Sequence, residues 1–206
     1  MRALACLLLF ASLGLAGCST TVFESLPVGT TTDCDPAWPG RWQPVGGGNE
    51  AMQPKDAVEF SADCRTATVK GEAKPIRLTL IDTGKARYLQ LHNDSGEPDC
   101  IGEGKSHCGY ALLRYEREGD VIRVYEPDHA RIAASIKSGA IKGFSETTAQ
   151  EVTKTGHEPI YRNFVAGNDE RIAKLLGGNP EFFAIEPLMV LQRVPVDTAP
   201  APAGGQ

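Results

Sequence analysis

Pro75-Ile76-Arg77-Leu78-Thr79-Leu80-Ile81-Asp82-Thr83-Gly84-Lys85-Ala86-Arg87-Tyr88-Leu89-Gln90-Leu91-His92 is the stretch that decides the fold class. Its first half alternates, with Ile76, Leu78 and Leu80 on one face of an extended chain. Strand side chains point to opposite faces at a period of two, so the pattern is that of a strand buried on one side. Asp82-Thr83-Gly84-Lys85 is a turn signal, because Asp satisfies free backbone N–H groups and Gly accepts positive φ. The chain returns through Ala86 to His92, and the unit reads as a β-hairpin.

The same reading extends outward. Tyr110 to Arg117 and Val121 to Glu126 flank Glu118-Gly119-Asp120 as a second hairpin. Ala57 to Ser61 and Arg65 to Lys70 flank a turn at Ala62-Asp63. Leu188 to Val194 is the last strand, and Ile141 to Phe144 and Ile160 to Ala166 are short ones. Residues 36–54 hold four Pro and four Gly, which predicts coil with one short strand around Trp42. Two helices interrupt the strands. The first follows Pro127, which suits a first helical turn, with Asp128 acidic near its start, Lys137 basic near its end and Gly139 as a cap. His129, Ile132, Ala133 and Ile136 share one face of it. The second starts at Asn168, a good N-cap, carries Ile172, Leu175 and Leu176 as its apolar stripe, and ends at Gly177-Gly178. The expected class is therefore α+β, mainly β: an antiparallel meander curled into a barrel-like or strongly bent sheet with two short helices.

Composition agrees. The 206 residues include 22 Gly and 14 Pro, above average usage of about 12% combined, as a turn-rich chain requires. Lys and Arg number 21 against 26 Asp and Glu, for a net charge of −5. That balance argues against nucleic acid as a partner, because phosphate binding needs concentrated positive charge.

Met1-Arg2 is a short positive segment, and Ala3 to Leu13 is an apolar run of signal-peptide length. Such a run is too short for a bilayer core, which takes about 20 residues. It ends in Leu15-Ala16-Gly17-Cys18. Here the chain resembles bacterial lipoproteins, whose lipobox is Leu, two small residues and Cys. The resemblance covers residues 1–18. It implies cleavage between Gly17 and Cys18 and lipidation of Cys18, with palmitate-like chains as the membrane link. At about 0.8 kcal/mol per buried methylene, several chains hold essentially irreversibly. In that family an Asp after the Cys favours inner-membrane retention, so Ser19 implies the outer membrane, on its periplasmic face or at the cell surface. The expected organisation is a signal peptide at 1–17, lipidated Cys18 and a flexible tether at 18–33, one β-rich domain at 34–196 and a disordered tail at 197–206.

Cys6 leaves with the signal and Cys18 takes lipid. Cys34, Cys64, Cys100 and Cys108 remain, an even set in an oxidising compartment. Of three possible pairings, Cys34–Cys64 and Cys100–Cys108 are preferred, the second closing a short loop. A metal site of Cys100, His107 and Cys108 is the rival, but it lacks a C-x-x-C clamp and its adjacent His and Cys suit a tetrahedral centre poorly.

Gly40-Arg41-Trp42 before meandering strands is similar to the Gly-x-Trp opening of lipocalin-like barrels. The two helices depart from a simple eight-strand barrel of that kind, and no ligand pocket is carried over. Anchor, β-domain and inserted helices together look like the small outer-membrane lipoproteins of Gram-negative bacteria.

No catalytic motif stands out. Gly102-Glu103-Gly104-Lys105-Ser106 imitates part of a P-loop, but the Gly required five residues before the Gly-Lys pair is Asp99. No G-x-S-x-G occurs, and His157-Glu158 lacks a second His, position 161 being Tyr161. His129 on its apolar face reads as a satisfied boundary histidine. Trp38, between prolines, is the aromatic with the best case for exposure. No catalytic residue, cofactor or metal is assigned. The expected function is a membrane-anchored, non-enzymatic binding domain for an envelope protein or a small apolar ligand. Its alternatives are an accessory or structural subunit of an envelope complex, or an envelope hydrolase without a recognisable motif.

Overall fold

The structure, a computed structural model, describes residues 19–31, 34–46, 57–93, 95–148 and 159–195. Its elements in chain order are β1 (Thr20–Phe23), β2 (Thr30–Thr31), β3 (Gly40–Gly46), β4 (Val58–Phe60), β5 (Thr66–Val69), β6 (Ile76–Asp82), β7 (Arg87–His92), β8 (Asp99–Ile101), β9 (His107–Glu118) and β10 (Val121–Tyr125). Then come α1 (His129–Lys137), β11 (Gly143–Thr147), β12 (Tyr161–Val165), α2 (Asp169–Gly178) and β13 (Met189–Arg193). Short 3₁₀ turns occupy Glu103–Lys105 and Pro180–Phe182.

Eight strands close into an antiparallel barrel. β3, β4, β5, β6, β7, β9, β10 and β13 each pair with the next, and β13 returns to β3 with Leu191 opposite Pro44 and Arg193 opposite Trp42. The diagnostic hairpin is β6–β7, in register from Arg77 opposite His92 to Asp82 opposite Arg87. Its alternation does what the pattern predicts: Leu78, Leu80 and Leu89 face the lumen with Val124, Ile122 and Leu191. Ile81 and Tyr88 face outward, into a second core. Eight strands leave an interior about wide enough for side chains alone, and here side chains fill it.

The lumen's widest filler is Trp38. It is 1% exposed, so of the two readings open to an aromatic between prolines the structure takes the buried one. The indole stands edge-on to Phe60 and Tyr115, with ring centroids 4.7 and 5.0 Å away. A coil can bury such a residue because Cys34–Cys64 ties it to the β4–β5 turn and Arg117 binds Asp35 at 3.1 Å. The Gly-x-Trp opening also has a physical account. Trp42 is fully buried, donates its Nε1–H to the Trp38 carbonyl at 2.9 Å, and lies under the Arg193 guanidinium, 4.5 Å from its ring centre. Arg193 donates to the carbonyls of Pro39 and Ala37 and pairs with Asp120 at 3.2 Å. Gly40, at φ +116°, leaves room for this: a Cβ there would come within 3.1 Å of the Arg193 guanidinium. The first and last barrel strands are thus joined through one arginine.

Both helices lie in one insertion, between the adjacent barrel strands β10 and β13, so they interrupt the barrel meander at that one connection. The insertion builds a smaller sheet on the flank. β9 extends beyond the barrel to pair with β1, β1 runs parallel to β12, and β12 pairs with β11. Helices α1 and α2 cover one face, burying Phe23, Leu112, Ile132, Ile172 and Leu176 with Tyr88 and Phe183. The strands approach closely where glycine permits it: a Cβ on Gly143 would lie 2.1 Å from the Phe164 carbonyl oxygen.

Several expectations are corrected. The composition of residues 19–33 predicts a tether, yet Thr20–Phe23 is a strand between β9 and β12, with Thr21, Val22 and Phe23 buried. The folded unit therefore includes Ser19–Phe23 as well as the residues from Cys34 on, as Ser19 Oγ accepts the Tyr161 N–H at 3.1 Å. The strand around Trp42 runs seven residues, and β8 is an additional strand. Pro127 precedes α1 rather than opening it; Asp128 is the N-cap and accepts the Arg131 N–H at 2.9 Å. Asn168 caps α2 as expected, but Gly177 and Gly178 belong to its last turn. The expected signal peptide at 1–17, Cys18 and the expected tail at 197–206 lie outside the described residues.

Candidate functional site

Both preferred disulfides form. Cys34–Cys64 fastens the lumen plug, and Cys100–Cys108 joins directly opposed residues of β8 and β9. The Cys100, His107, Cys108 metal site is therefore absent. His107 instead lies on the rings of Phe144 and Phe164, at 4.5 and 5.0 Å. The P-loop-like segment Gly102–Ser106 is the tip of this disulfide hairpin. Among the described residues no group of three metal-ligating side chains occurs, and no helix is long and apolar enough to cross a membrane.

The most buried polar cluster joins β1, α1 and β12. Thr21 Oγ1 lies 2.8 Å from His129 Nδ1. Asn163 donates Nδ2–H to Thr21 Oγ1 at 3.1 Å and to the His129 carbonyl at 2.9 Å, and accepts Ser145 Oγ–H at 2.8 Å. Burial pushes the His129 pKa down to about 4, with Asp128 pulling the other way. Burial also raises Glu126, whose Oε2 is 4.0 Å from His129 Nε2. Histidine between a hydroxyl and a carboxylate resembles a catalytic relay. Thr21 is 3% exposed and Asn163 0%, which leaves no room for a substrate beside the hydroxyl. The cluster is a polar clamp between helix and sheet, as the satisfied-histidine reading of His129 expects.

Among the described residues the core side chains fill the lumen. A cleft of about 600 Å³ lies instead on the barrel's flank. The β6–β7 hairpin end supplies Asp82, Lys85, Arg87 and Tyr88, and the late part of β9 supplies Arg114, Tyr115, Glu116 and Arg117. Its opposite wall is Leu176 and Gly177 from the end of α2, then Pro180 and Phe183. That volume lies within the range of small-molecule sites.

Local sequence explains the arrangement. Tyr88 and Arg114 are opposed residues on β7 and β9, so both point outward from the barrel to the helical insertion. Phe183 leans on Tyr88, ring centroids 5.7 Å apart. The Arg114 guanidinium is 4.6 Å from the Tyr125 ring centre and 5.9 Å from that of Phe183, and its Nη2 is 3.4 Å from Glu116. Tyr125 Oη–H donates to Glu116 at 3.1 Å. Burial pushes the Tyr88 pKa up to about 12, so it stays a neutral phenol. The Gly84 N–H, at 2.7 Å, holds the Asp82 carboxyl below its usual pKa, and Arg87 at 3.1 Å adds to this. This cleft was not visible in sequence: its cations are spread over residues 85–117 and converge only through barrel register. Comparison with family models, curated proteins and solved structures gives no match for the chain.

Proposed function

We propose that the protein is a lipid-anchored lipoprotein of the bacterial envelope, carried on the outer membrane, whose barrel domain is a non-enzymatic binding module with its site in the flank cleft. The anchor reading rests on Leu15-Ala16-Gly17-Cys18 after a signal-length apolar run. The place of Ser19 supports it in a particular form. Ser19 is already hydrogen-bonded to Tyr161, and consecutive Cα atoms are about 3.8 Å apart. Acyl chains on Cys18 would therefore hold the flank sheet against the membrane surface, with no tether between them.

The observation that carries the binding reading is the cleft itself, walled by two different parts of the fold and lined by aromatic and charged side chains. Metabolic labelling with radioactive palmitate tests the anchor. Label on the wild-type chain, absent from Cys18→Ala, supports it. An unlabelled wild-type chain, or a Cys18→Ala chain that matures and extracts with membranes unchanged, refutes it.

A further inference from the structure

We infer that the flank cleft is a site for an amphipathic organic anion: a phosphate or carboxylate group carried on an apolar body. This deepens the binding reading above and rests on it.

The charge comes first. The cleft gathers Lys85, Arg87, Arg114 and Arg117 around two lining carboxylates, Asp82 and Glu116, in a chain whose net charge is −5. Positive charge is thus concentrated where the protein as a whole is acidic. Each arginine keeps one carboxylate: Asp82 for Arg87, Glu116 for Arg114 and Asp35 for Arg117. A guanidinium carries five N–H donors, so these pairings orient the groups without using all their donors. Lys85 has no carboxylate partner among the described residues, and its stem lies over Gly177, on the opposite wall. It spans the cleft beside the arginine donors.

The walls argue for the rest of the ligand. Pro180 is exposed and Ala86 half-buried at the cleft, and together they give an apolar surface adjoining the cations, backed by the buried Tyr88, Leu176 and Phe183. Bare inorganic anions would leave that surface wet, and a neutral apolar molecule would leave the lysine and arginine donors unused. A phosphate monoester, or a free carboxylate, on an aromatic or aliphatic body meets both. Such a headgroup could come from an acidic phospholipid or from a soluble ester, and the chemistry at the cleft is the same.

Isothermal titration of the full-length protein in phosphatidylcholine nanodiscs tests this with three probes: phenyl phosphate, inorganic phosphate and benzyl alcohol. Phenyl phosphate is expected to bind at least about tenfold tighter than either fragment, and Lys85→Glu to weaken it by about tenfold. Phosphatidic acid added to the nanodiscs separates the sources: competition with phenyl phosphate assigns a lipid headgroup, its absence a soluble ester, and both support the anionic site. Benzyl alcohol binding as tightly as phenyl phosphate, or an affinity for phenyl phosphate unchanged in Lys85→Glu, overturns the inference while leaving a ligand-binding module. No heat with any probe at millimolar concentration overturns both the inference and the cleft as the binding site. Palmitate labelling decides the anchor independently.

Discussion

Acid should unfold this protein through one identifiable side chain. His129 is 16% exposed and held with Nδ1 2.8 Å from Thr21 Oγ1. The groups facing it are Thr21 and Asn163 from the sheet, Glu126 across 4.0 Å and Asp128 at the helix cap. Burial outweighs Asp128 and lowers the imidazole pKa from 6.5 to about 4. An unfolded chain takes up this proton near pH 6.5, whereas the folded chain takes it up only near pH 4. Between those values the unfolded state binds more protons, so stability falls as pH falls. At about 1.36 kcal/mol per pH unit, the loss from pH 7 to pH 4 is about 3 kcal/mol. Glu126 acts in the opposite direction, because its raised pKa makes the folded state the better proton acceptor. Its side chain is about half exposed, so solvent screens most of that effect.

The perturbation is His129→Asn, which keeps a polar group near the Nδ1 position and cannot titrate. Urea unfolding of both proteins, followed by circular dichroism at pH 7, 5.5 and 4, measures the difference directly. Other carboxylates titrate alike in the two chains and cancel. The wild type should lose about 3 kcal/mol relative to the variant over this range. Parallel pH profiles would refute the reasoning, because they would mean that the native cluster accepts a charged imidazole without cost.

Other perturbations address the barrel and its ties. Arg193→Lys should cost about 2 kcal/mol by denaturant unfolding, because one ammonium cannot serve the Ala37 and Pro39 carbonyls, Asp120 and the Trp42 face together. A loss below about 0.5 kcal/mol would show that a point charge is enough. Gly143→Ala should cost about 1–3 kcal/mol, since its Cβ meets the Phe164 carbonyl, whereas Gly178→Ala, with open space around it, should stabilise by about 0.5 kcal/mol; thermal melts of the pair check the contrast. Replacing both cysteines of Cys34–Cys64 by Ser should cost about 1 kcal/mol more than doing so at Cys100–Cys108. Chain entropy assigns about 3.6 kcal/mol to the separation of 30 residues and about 2.5 to that of 8, and calorimetry of the two variants compares them.

What sequence shows of this fold follows from how local each signal is. The β6–β7 and β9–β10 hairpins are legible because alternation and turn residues sit within one short stretch. Both helices are legible from their starts, the acidic Asp128 after Pro127 and the Asn168 cap, and from their apolar stripes. Trp38 is ambiguous in sequence because proline-rich coil is ordinarily exposed, while here a disulfide and the Arg117–Asp35 pair fold that coil across the barrel's end. The cleft is illegible for another reason. Arg114 reaches it because residue 114 happens to lie opposite Tyr88, and Lys85 because its turn ends beside α2. Register across strands converts scattered charges into a site, and register is a property of the closed sheet.

β1 is the most instructive miss. Ser19-Thr20-Thr21-Val22-Phe23 follows a lipobox and is polar at its start, so composition assigns it to solvent. Thr, Val and Phe are also strand formers, and polarity excludes a residue from a core only when it has no partner there. Thr21 has two, His129 and Asn163. A histidine on an apolar helix face and an asparagine inside a predicted strand each demand a buried polar partner. Those two unmet demands are the signal that could have placed Thr21 in the core. The same hydrogen bonds that hide β1 from a compositional reading also fix where a lipid on Cys18 would leave the fold. The attachment point of the anchor proposed at Cys18 and the acid sensitivity of His129 would therefore be coupled. Protonating His129 places a charge against Thr21 inside the buried cluster and loosens β1. Acid unfolding should accordingly begin at the flank sheet while the disulfide-tied barrel still holds.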